Sequence, residues 1–274
     1  TRLNNDYNGG AFANIPYITL ANVERVEFIR GPGSAIHGAN AALAVINIIT
    51  QKKGRKMTLA GSSPEGYRTS VQTDIEMNEG EMSVFAESIG FRGFSPTLYD
   101  AIDKQYETSR DPYSVQTLSY HFSSHGFSGN LNFNQFNSPD FYVIGAANTE
   151  ENKYYGEGYR IELKHRAAFS HHLQQEVMMY YHQSSTYAQS IAIPSEKAVL
   201  LPNTAAFIIG GAAKHTEGGV NWTISNNQHN QWHWLVGAEL RQPKIVYSTG
   251  YSNYSIEDYV NILTLGRPLI YYGQ

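Results

Sequence analysis

The chain has 274 residues and a formal net charge of −4, from 20 Lys and Arg against 24 Asp and Glu. This balance excludes a basic footprint for nucleic acid. The absence of cysteine excludes disulfide frameworks and thiolate metal sites. Charged residues make up only 16% of the chain and aromatic residues 13%, so the chain is polar without being highly charged. That composition is typical of a transmembrane β-barrel, whose strands are apolar only on alternate residues.

Hydrophobic runs are short throughout the sequence. The longest include residues 43–46 and 205–209, far below the roughly 18 apolar residues that a membrane helix needs. No signal peptide is visible after Thr1, so we expect any export leader to lie outside this sequence.

The first 54 residues have a different sequence pattern from the rest, and we predict a domain boundary between residues 54 and 55. Residues 23–29 alternate as a strand does, and residues 31–33 form a Gly-Pro-Gly break. Residues 34–44 are small and predict a short helical turn, whereas residues 45–50 are a β-branched run that predicts a second strand. The pattern indicates a compact mixed α/β unit over residues 1–54.

From Lys56 onward, apolar and polar residues alternate with a period of two. Tyr159, Ile161 and Leu163, for example, alternate with Arg160 and Glu162. Each such segment has about the 9–11 residues that a tilted strand needs to cross a bilayer. The pattern predicts roughly nine strands over residues 55–274.

The connections between these segments alternate in length. Short turns are predicted near 78–81, 123–126, 170–171 and 226–230, and long links at 92–113, 137–157, 188–214 and after about 240. Short turns at one rim and long loops at the other are typical of outer-membrane barrels. Because a half-barrel would leave two unpaired edges in lipid, we expect the chain to continue beyond Gln274.

Three neighbouring motifs indicate a family. They are Val23-Glu24-Arg25-Val26-Glu27-Phe28-Ile29-Arg30-Gly31-Pro32, then Ser34-Ala35-Ile36-His37-Gly38, then Val45-Ile46-Asn47-Ile48-Ile49-Thr50. Together they strongly resemble the C-terminal half of the plug domain of TonB-dependent outer-membrane receptors. Two departures concern loop geometry: His37 stands where the family usually has Tyr or Phe, and Ala42-Leu43-Ala44 replaces a Gly-Gly pair.

The resemblance implies a fold and an activity. The expected fold is the end of a plug (residues 1–54) followed by the first part of a transmembrane antiparallel β-barrel (residues 55–274). The complete barrel of the family has about 22 strands. The expected activity is active import of a scarce ligand across the outer membrane of a Gram-negative bacterium. A ferric siderophore is the first ligand class, with haem, cobalamin and glycans as alternatives. The expected partners are outer-membrane lipid and the TonB energy-coupling complex, reached through a TonB box that this sequence lacks.

The prediction of plug–barrel contacts is based on the charged residues of the first predicted strand. Glu24, Arg25, Glu27 and Arg30 would be costly in an ordinary core, but they fit a plug strand that faces a polar lumen. We therefore predict that they form plug–barrel contacts. The resemblance assigns to Arg30 the pairing with carboxylates of the barrel wall.

Further site residues are predicted from loops and aromatic pairs. Gly31, Pro32 and Gly38 are predicted to set the plug loop geometry, because glycine adopts backbone conformations that side chains forbid. By resemblance, Tyr7, Asn8 and Phe12 are predicted to contact the ligand, although plain exposed loop residues explain them equally well. Trp232 and Trp234 are predicted to lie at a membrane interface.

Other kinds of site have weak support. Residues 31–34 lack the Lys-Ser/Thr of a phosphate-binding loop, and pairs such as His121 with His125 lack an accompanying carboxylate pattern. No nucleophile elbow is present. The sequence therefore predicts no enzyme, no metal site and no cofactor. Two other classes stay open: a passive porin-like barrel, and a secreted β-rich enzyme or adhesin.

Overall fold

The computed structural model describes residues 18–31, 44–63, 65–100, 104–140, 152–170, 172–193, 206–226 and 234–253. Several predicted features lie outside these residues: the ligand-contact residues Tyr7, Asn8 and Phe12, the loop residues Pro32 and Gly38, the helical turn over 34–43, and Trp232.

Within these ranges the protein is all-β and contains thirteen strands and no helix. The strands are β1 (Val23–Arg30), β2 (Ala44–Thr50), β3 (Lys56–Ser62), β4 (Gly66–Met77), β5 (Gly80–Phe91), β6 (Thr97–Asp100), β7 (Gln105–Thr108), β8 (Tyr113–Ser124), β9 (Phe127–Pro139), β10 (Lys153–Ala168), β11 (Leu173–Ile193), β12 (Phe207–Asn226) and β13 (Leu235–Ser252).

Nine of the strands form one antiparallel sheet in the order β13-β12-β11-β10-β9-β8-β5-β4-β3. Neighbours in the sheet are also neighbours along the chain, except that the small β6–β7 hairpin is inserted between β5 and β8. The described strands form an open run with β3 and β13 at its edges. The predicted nine antiparallel strands are confirmed.

The connections follow the predicted alternation with one exception. Residues 78–79, 125–126, 169–172 and 227–234 join strands at one rim, and residues 92–112, 140–152 and 194–206 join them at the other. The exception is the link 63–65 between β3 and β4, which is short although it lies at the long-loop rim. In the turn 125–126, His125 and Gly126 have φ of 49° and 81°, as the common two-residue hairpin turn requires.

Several boundaries in the sheet differ from those predicted. The predicted long links 137–157 and 188–214 shorten to 140–152 and 194–206, because β9 to β12 extend further toward that rim. The long link after residue 91 contains β6 and β7, and β13 continues to Ser252 instead of ending near residue 240. Pro243 lies inside β13, opposite Glu217 of β12. A proline is tolerated there because β13 is an edge strand of the described sheet.

The N-terminal part of the described chain is a separate two-stranded sheet. Strands β1 and β2 pair antiparallel from Val23 opposite Thr50 to Arg30 opposite Ala44, so both predicted strands are confirmed. The amide of Gln51 donates to the carbonyl of Asn22 at 2.7 Å and closes the base of this hairpin. We call the described residues 18–31 and 44–54 the N-terminal unit.

Burial in the protein is inverted relative to a water-soluble domain. Among the described residues, fifteen polar or charged residues are buried but only six apolar ones. Three of those apolar residues, Ile191, Ile193 and Phe207, lie together at the long-loop ends of β11 and β12. Apart from Phe85 in β5, the described apolar side chains in the middle of the sheet are not buried.

Candidate functional site

One face of the nine-stranded sheet is apolar and exposed. Residues that pair directly across an antiparallel ladder point to the same face. One such row crosses eight strands: Ile75, Met82, Phe122, Gly129, Leu163, Met179, Val220 and Leu240. The side chain of Met179 is 54% exposed, and Leu240 reaches 77%. We call this the apolar face.

The opposite face is polar and shielded. Each residue of the apolar row has a neighbour along its strand that points to this opposite face. These neighbours pair across the same eight strands: Asp74, Ser83, His121, Asn130, Glu162, Tyr180, Gly219 and Arg241. Hydrogen bonds run along this row: His121 Nδ1 lies 2.7 Å from Asn130 Oδ1, and Asn130 Nδ2 donates to Glu162 Oε1 at 3.2 Å. We call this the polar face.

The buried carboxylates of the polar face are compensated by partners on neighbouring strands. Glu217 accepts a hydrogen bond from the hydroxyl of Tyr180 at 2.8 Å and lies 3.8 Å from the guanidinium of Arg241. Burying a carboxylate is tolerated only with such partners. The polar face thus combines hydrogen-bonded groups with buried polar atoms that lack a hydrogen-bond partner among the described residues, such as His121 Nε2 and Gln72 Oε1, and it could line water or a second polar surface.

The N-terminal unit contacts the polar face near both of its ends. Near the amino end, Arg68 Nη2 donates to Thr19 Oγ1 at 3.3 Å, while Arg68 Nε pairs at 2.6 Å with Glu87, whose side chain is fully buried. Near the carboxyl end, the amide of Gly54 donates to Asp74 Oδ1 at 2.8 Å. Arg68 and Asp74 occupy even positions of β4, which belong to the polar face.

The residue before Gly54 adds three further contacts. Gln72 Nε2 donates to the carbonyl oxygen of Lys53 at 3.3 Å. The ammonium of Lys53 lies 3.5 Å from carboxylate oxygens of both Glu76 and Glu81, and these charges raise the pKa of Lys53, with Glu81 contributing most. None of these residues was predicted from the sequence to be a site residue. The available signal was the polar or charged residue at every second position of β4 from Arg68 to Glu76.

The charges predicted on β1 pair within the hairpin. Arg25 contacts Glu24 at 2.6 Å and Glu27 at 2.9 Å, and Asn47 of β2 donates to Glu27 at 3.0 Å. The hydrogen bond from Arg25 is the main cause that holds the pKa of Glu27 below its ordinary value of 4.5. Contacts of these residues with the sheet wall stay a prediction.

The structure also describes three other residues predicted from the sequence to be site residues: Arg30, Gly31 and Trp234. The guanidinium of Arg30 lies 5.8 Å from the ring centroid of Phe28, and Gly31 has a φ of 108°, which favours glycine. Trp234 is half-exposed, and its amide donates to Asn226 Oδ1 at 2.8 Å. Trp234 therefore lies at the short-turn rim, just before β13.

An aromatic cluster marks the long-loop rim. Phe91 contacts Phe94 and Tyr113, with ring centroids 5.2 and 5.4 Å apart. A groove of about 540 Å³ beside this cluster is lined by Glu65, Gly66, Tyr67, Gly90, Phe91, Arg92, Pro112, Tyr113, Ser114, Asn137 and Pro139. Arg92 and Glu65 form an ion pair of 2.5 Å at its edge. Aromatic rings beside a cation can recognise a planar or anionic ligand.

Comparison with protein-family models finds no match to this chain. None of the described residues forms a helix long and apolar enough to cross a membrane. The described residues also hold no group of three or more His, Asp or Glu placed to bind a metal ion. The two faces of the sheet, the N-terminal unit and the rim are therefore the features that bear on function.

Proposed function

We propose that this chain is part of a TonB-dependent receptor of the outer membrane, which imports a scarce ligand, a ferric siderophore being the proposed class. The N-terminal unit is the end of the plug, and the nine-stranded sheet is part of the barrel wall. The observation that carries the proposal is the inverted sheet, with an exposed apolar face and a shielded polar face. Such a sheet suits lipid outside and a polar lumen inside.

The length of the apolar stretch supports the membrane assignment. On β11 the outward positions run Leu173, Gln175, Val177, Met179 and Tyr181, which spans nine residues. This matches the roughly 9–11 residues with which a tilted strand crosses a bilayer. Three of the next four outward positions, Gln183, Ser185 and Gln189, carry amide or hydroxyl side chains, and the fourth is Tyr187. We infer that β11 extends beyond the membrane on the long-loop side.

Placement of the N-terminal unit supports the plug assignment. Thr19, Lys53 and Gly54 contact the polar face, which is the lumen side in this proposal. A simple porin does not need such a unit. The motif resemblance over residues 23–50 supports the same assignment independently of these contacts.

The rim supports ligand capture from outside the cell. The aromatic cluster of Phe91, Phe94 and Tyr113 lies at the rim that carries the long links. Loops of more than about 12 residues usually serve a function. In this proposal, the ligand binds between these loops and the plug, and TonB-transmitted force then moves the plug.

Uptake measurements test the proposal. The full natural protein would be expressed in a Gram-negative host without siderophore receptors of its own, and radioactive iron would be offered on a panel of ferric siderophores. We expect uptake of at least one complex, and its loss when TonB is deleted. Uptake that persists without TonB, or no uptake of any complex by folded protein in the outer membrane, contradicts the proposal. Free, unselective liposome swelling would favour a passive pore instead.

A further inference from the structure

The two ends of the N-terminal unit are held to the polar face by different numbers of contacts. At the amino end the described contact is one hydrogen bond, from Arg68 to the neutral hydroxyl of Thr19 at 3.3 Å. At the carboxyl end two consecutive residues, Lys53 and Gly54, make two hydrogen bonds and two ion pairs with β4 and β5. Each end has one hydrogen bond with a charged partner, from the guanidinium of Arg68 at the amino end and to the carboxylate of Asp74 at the carboxyl end. The carboxyl end differs by its second hydrogen bond and its two ion pairs.

The backbone at Gly54 adds a geometric constraint. Its φ is 118°, and no atom lies within 4 Å of the position that a Cβ would occupy. Glycine is therefore needed here for its backbone conformation and not for space. This conformation directs the Gly54 amide toward Asp74 while the Lys53 side chain reaches Glu76 and Glu81. These contacts attach residues 53 and 54, at the base of the β1–β2 hairpin, to β4.

We propose that Lys53–Gly54 is the pivot of the N-terminal unit, that Asp74, Glu76 and Glu81 are positioning residues which hold it, and that the Thr19–Arg68 contact breaks first. The inference rests on the proposed function, because a plug that moves must release some contacts and keep others. It adds which end of this unit stays on the wall. The unit then swings from its carboxyl end instead of leaving the polar face as a rigid body.

A pair of adjacent lysines provides a matched test. Lys53 forms both ion pairs, whereas Lys52 forms none with the described residues. Hydrogen exchange, read by mass spectrometry on the full-length protein in detergent micelles, would follow the amides of residues 50–56. Lys53→Gln should raise their exchange roughly two- to fivefold, the range expected for exposed ion pairs, and Lys52→Gln should leave it unchanged. Equal effects of the two variants would overturn the ionic part of the pivot.

Salt gives a second readout of the same ion pairs. In 1 M salt the screening length falls to about 3 Å, which is close to the 3.5 Å separations in these pairs. The difference between Lys53→Gln and the unmodified protein should therefore shrink. A difference that stays constant with salt would contradict an electrostatic hold.

The order of release is tested with one variant at each end. Asp74→Ala removes the acceptor of the Gly54 amide, and Thr19→Ala removes the acceptor of Arg68 Nη2 while the pair of Arg68 Nε with Glu87 remains. Asp74→Ala should raise exchange throughout β1 and β2, whereas Thr19→Ala should raise it only around residues 18–23. Exchange in β10–β12 reports whether each variant has kept its fold. If Thr19→Ala loosens β1 and β2 as much as Asp74→Ala does, the pivot is wrong.

An independent variant covers the case in which Asp74→Ala does not fold. Gly54→Ala introduces backbone strain but no clash, so it should loosen β1 and β2 while the sheet stays intact. Unchanged exchange in Gly54→Ala would count against the pivot. None of these readouts requires ligand, TonB or uptake. Failed uptake with a confirmed pivot would therefore refute only the proposed function.

Discussion

Two adjacent methionines on β11 allow a direct test of which side of the sheet meets lipid. Met179 lies on the apolar face between Leu163 and Val220, and Met178 lies on the polar face between Lys164 and Asn221. The perturbation is Met179→Arg, with Met178→Arg as its control. The two variants introduce the same charge into the same strand, one residue apart, so they differ only in the face that receives it.

The expected costs follow from the surroundings of each position. Met179 is near the middle of the apolar stretch, and an arginine near the bilayer midplane of a barrel costs about 2–4 kcal/mol. In water the same 54% exposed position would tolerate arginine within about 0.5 kcal/mol. Arginine at position 178 would face Lys164 across the ladder, which costs at most about 1 kcal/mol, and Glu176 on the same face offsets part of it.

The assay is equilibrium folding of the full-length protein into phospholipid vesicles over a urea titration. Folding is monitored by tryptophan fluorescence. Met179→Arg should reduce the folding equilibrium constant by roughly 30- to 700-fold, the equivalent of about 2–4 kcal/mol, and Met178→Arg by less than about tenfold. Equal costs for the two variants, or a Met179→Arg protein as stable as the unmodified one, would refute the assignment of the apolar face to lipid.

Three further outcomes are expected in the same folding assay or by hydrogen exchange. Arg68→Met should destabilise the protein by about 2–3 kcal/mol, because it leaves the buried carboxylate of Glu87 without its ion pair. Gly126→Ala should cost about 1–2 kcal/mol, since φ is 81° and the new Cβ would lie 2.5 Å from a backbone oxygen of β10. Because Arg25 lowers the pKa of Glu27, the stability that this carboxylate gives to the hairpin is present above pH 4.5 and is lost as the pH falls through the lowered pKa. The protection of β1 and β2, measured as exchange relative to the intrinsic amide rate at each pH, should therefore fall between pH 5 and pH 3, and this fall should be absent if Glu27 is replaced by glutamine.

The strands of the large sheet could be predicted because local sequence determines the face of each residue. Alternation such as Tyr159, Ile161 and Leu163 against their polar neighbours needs no knowledge of the partner strand. The β6–β7 hairpin was missed because its strands have only four residues each, too few for a period to be visible. The extent of β13 was missed because Pro243 marks a strand end unless the strand is known to lie at an edge.

The candidate site was less predictable because its contacts join residues that are distant in sequence. Alternation places Arg68 and Asp74 on one face of β4, but it does not say that Thr19 and Gly54 lie against that face. Conversely, the charges of Arg25 and its neighbours could be identified on β1, and the structure pairs them within their own hairpin. Sequence patterns thus located the charged residues of β1 without naming their partners.

The chemistry of the contact between the N-terminal unit and the sheet suits a part that moves. A two-stranded hairpin is marginally stable alone in water, so the unit gains its position from the polar face. The described contacts there are hydrogen bonds and exposed ion pairs, such as Lys53 with Glu76. When such contacts open, water replaces each partner at a net cost of only about 0.5–1.5 kcal/mol per hydrogen bond. An apolar interface would instead cost about 25 cal/mol for every Å² that it exposed. A polar wall therefore allows the unit to be held in place at rest and released by a modest force, which an apolar wall of the same area would resist.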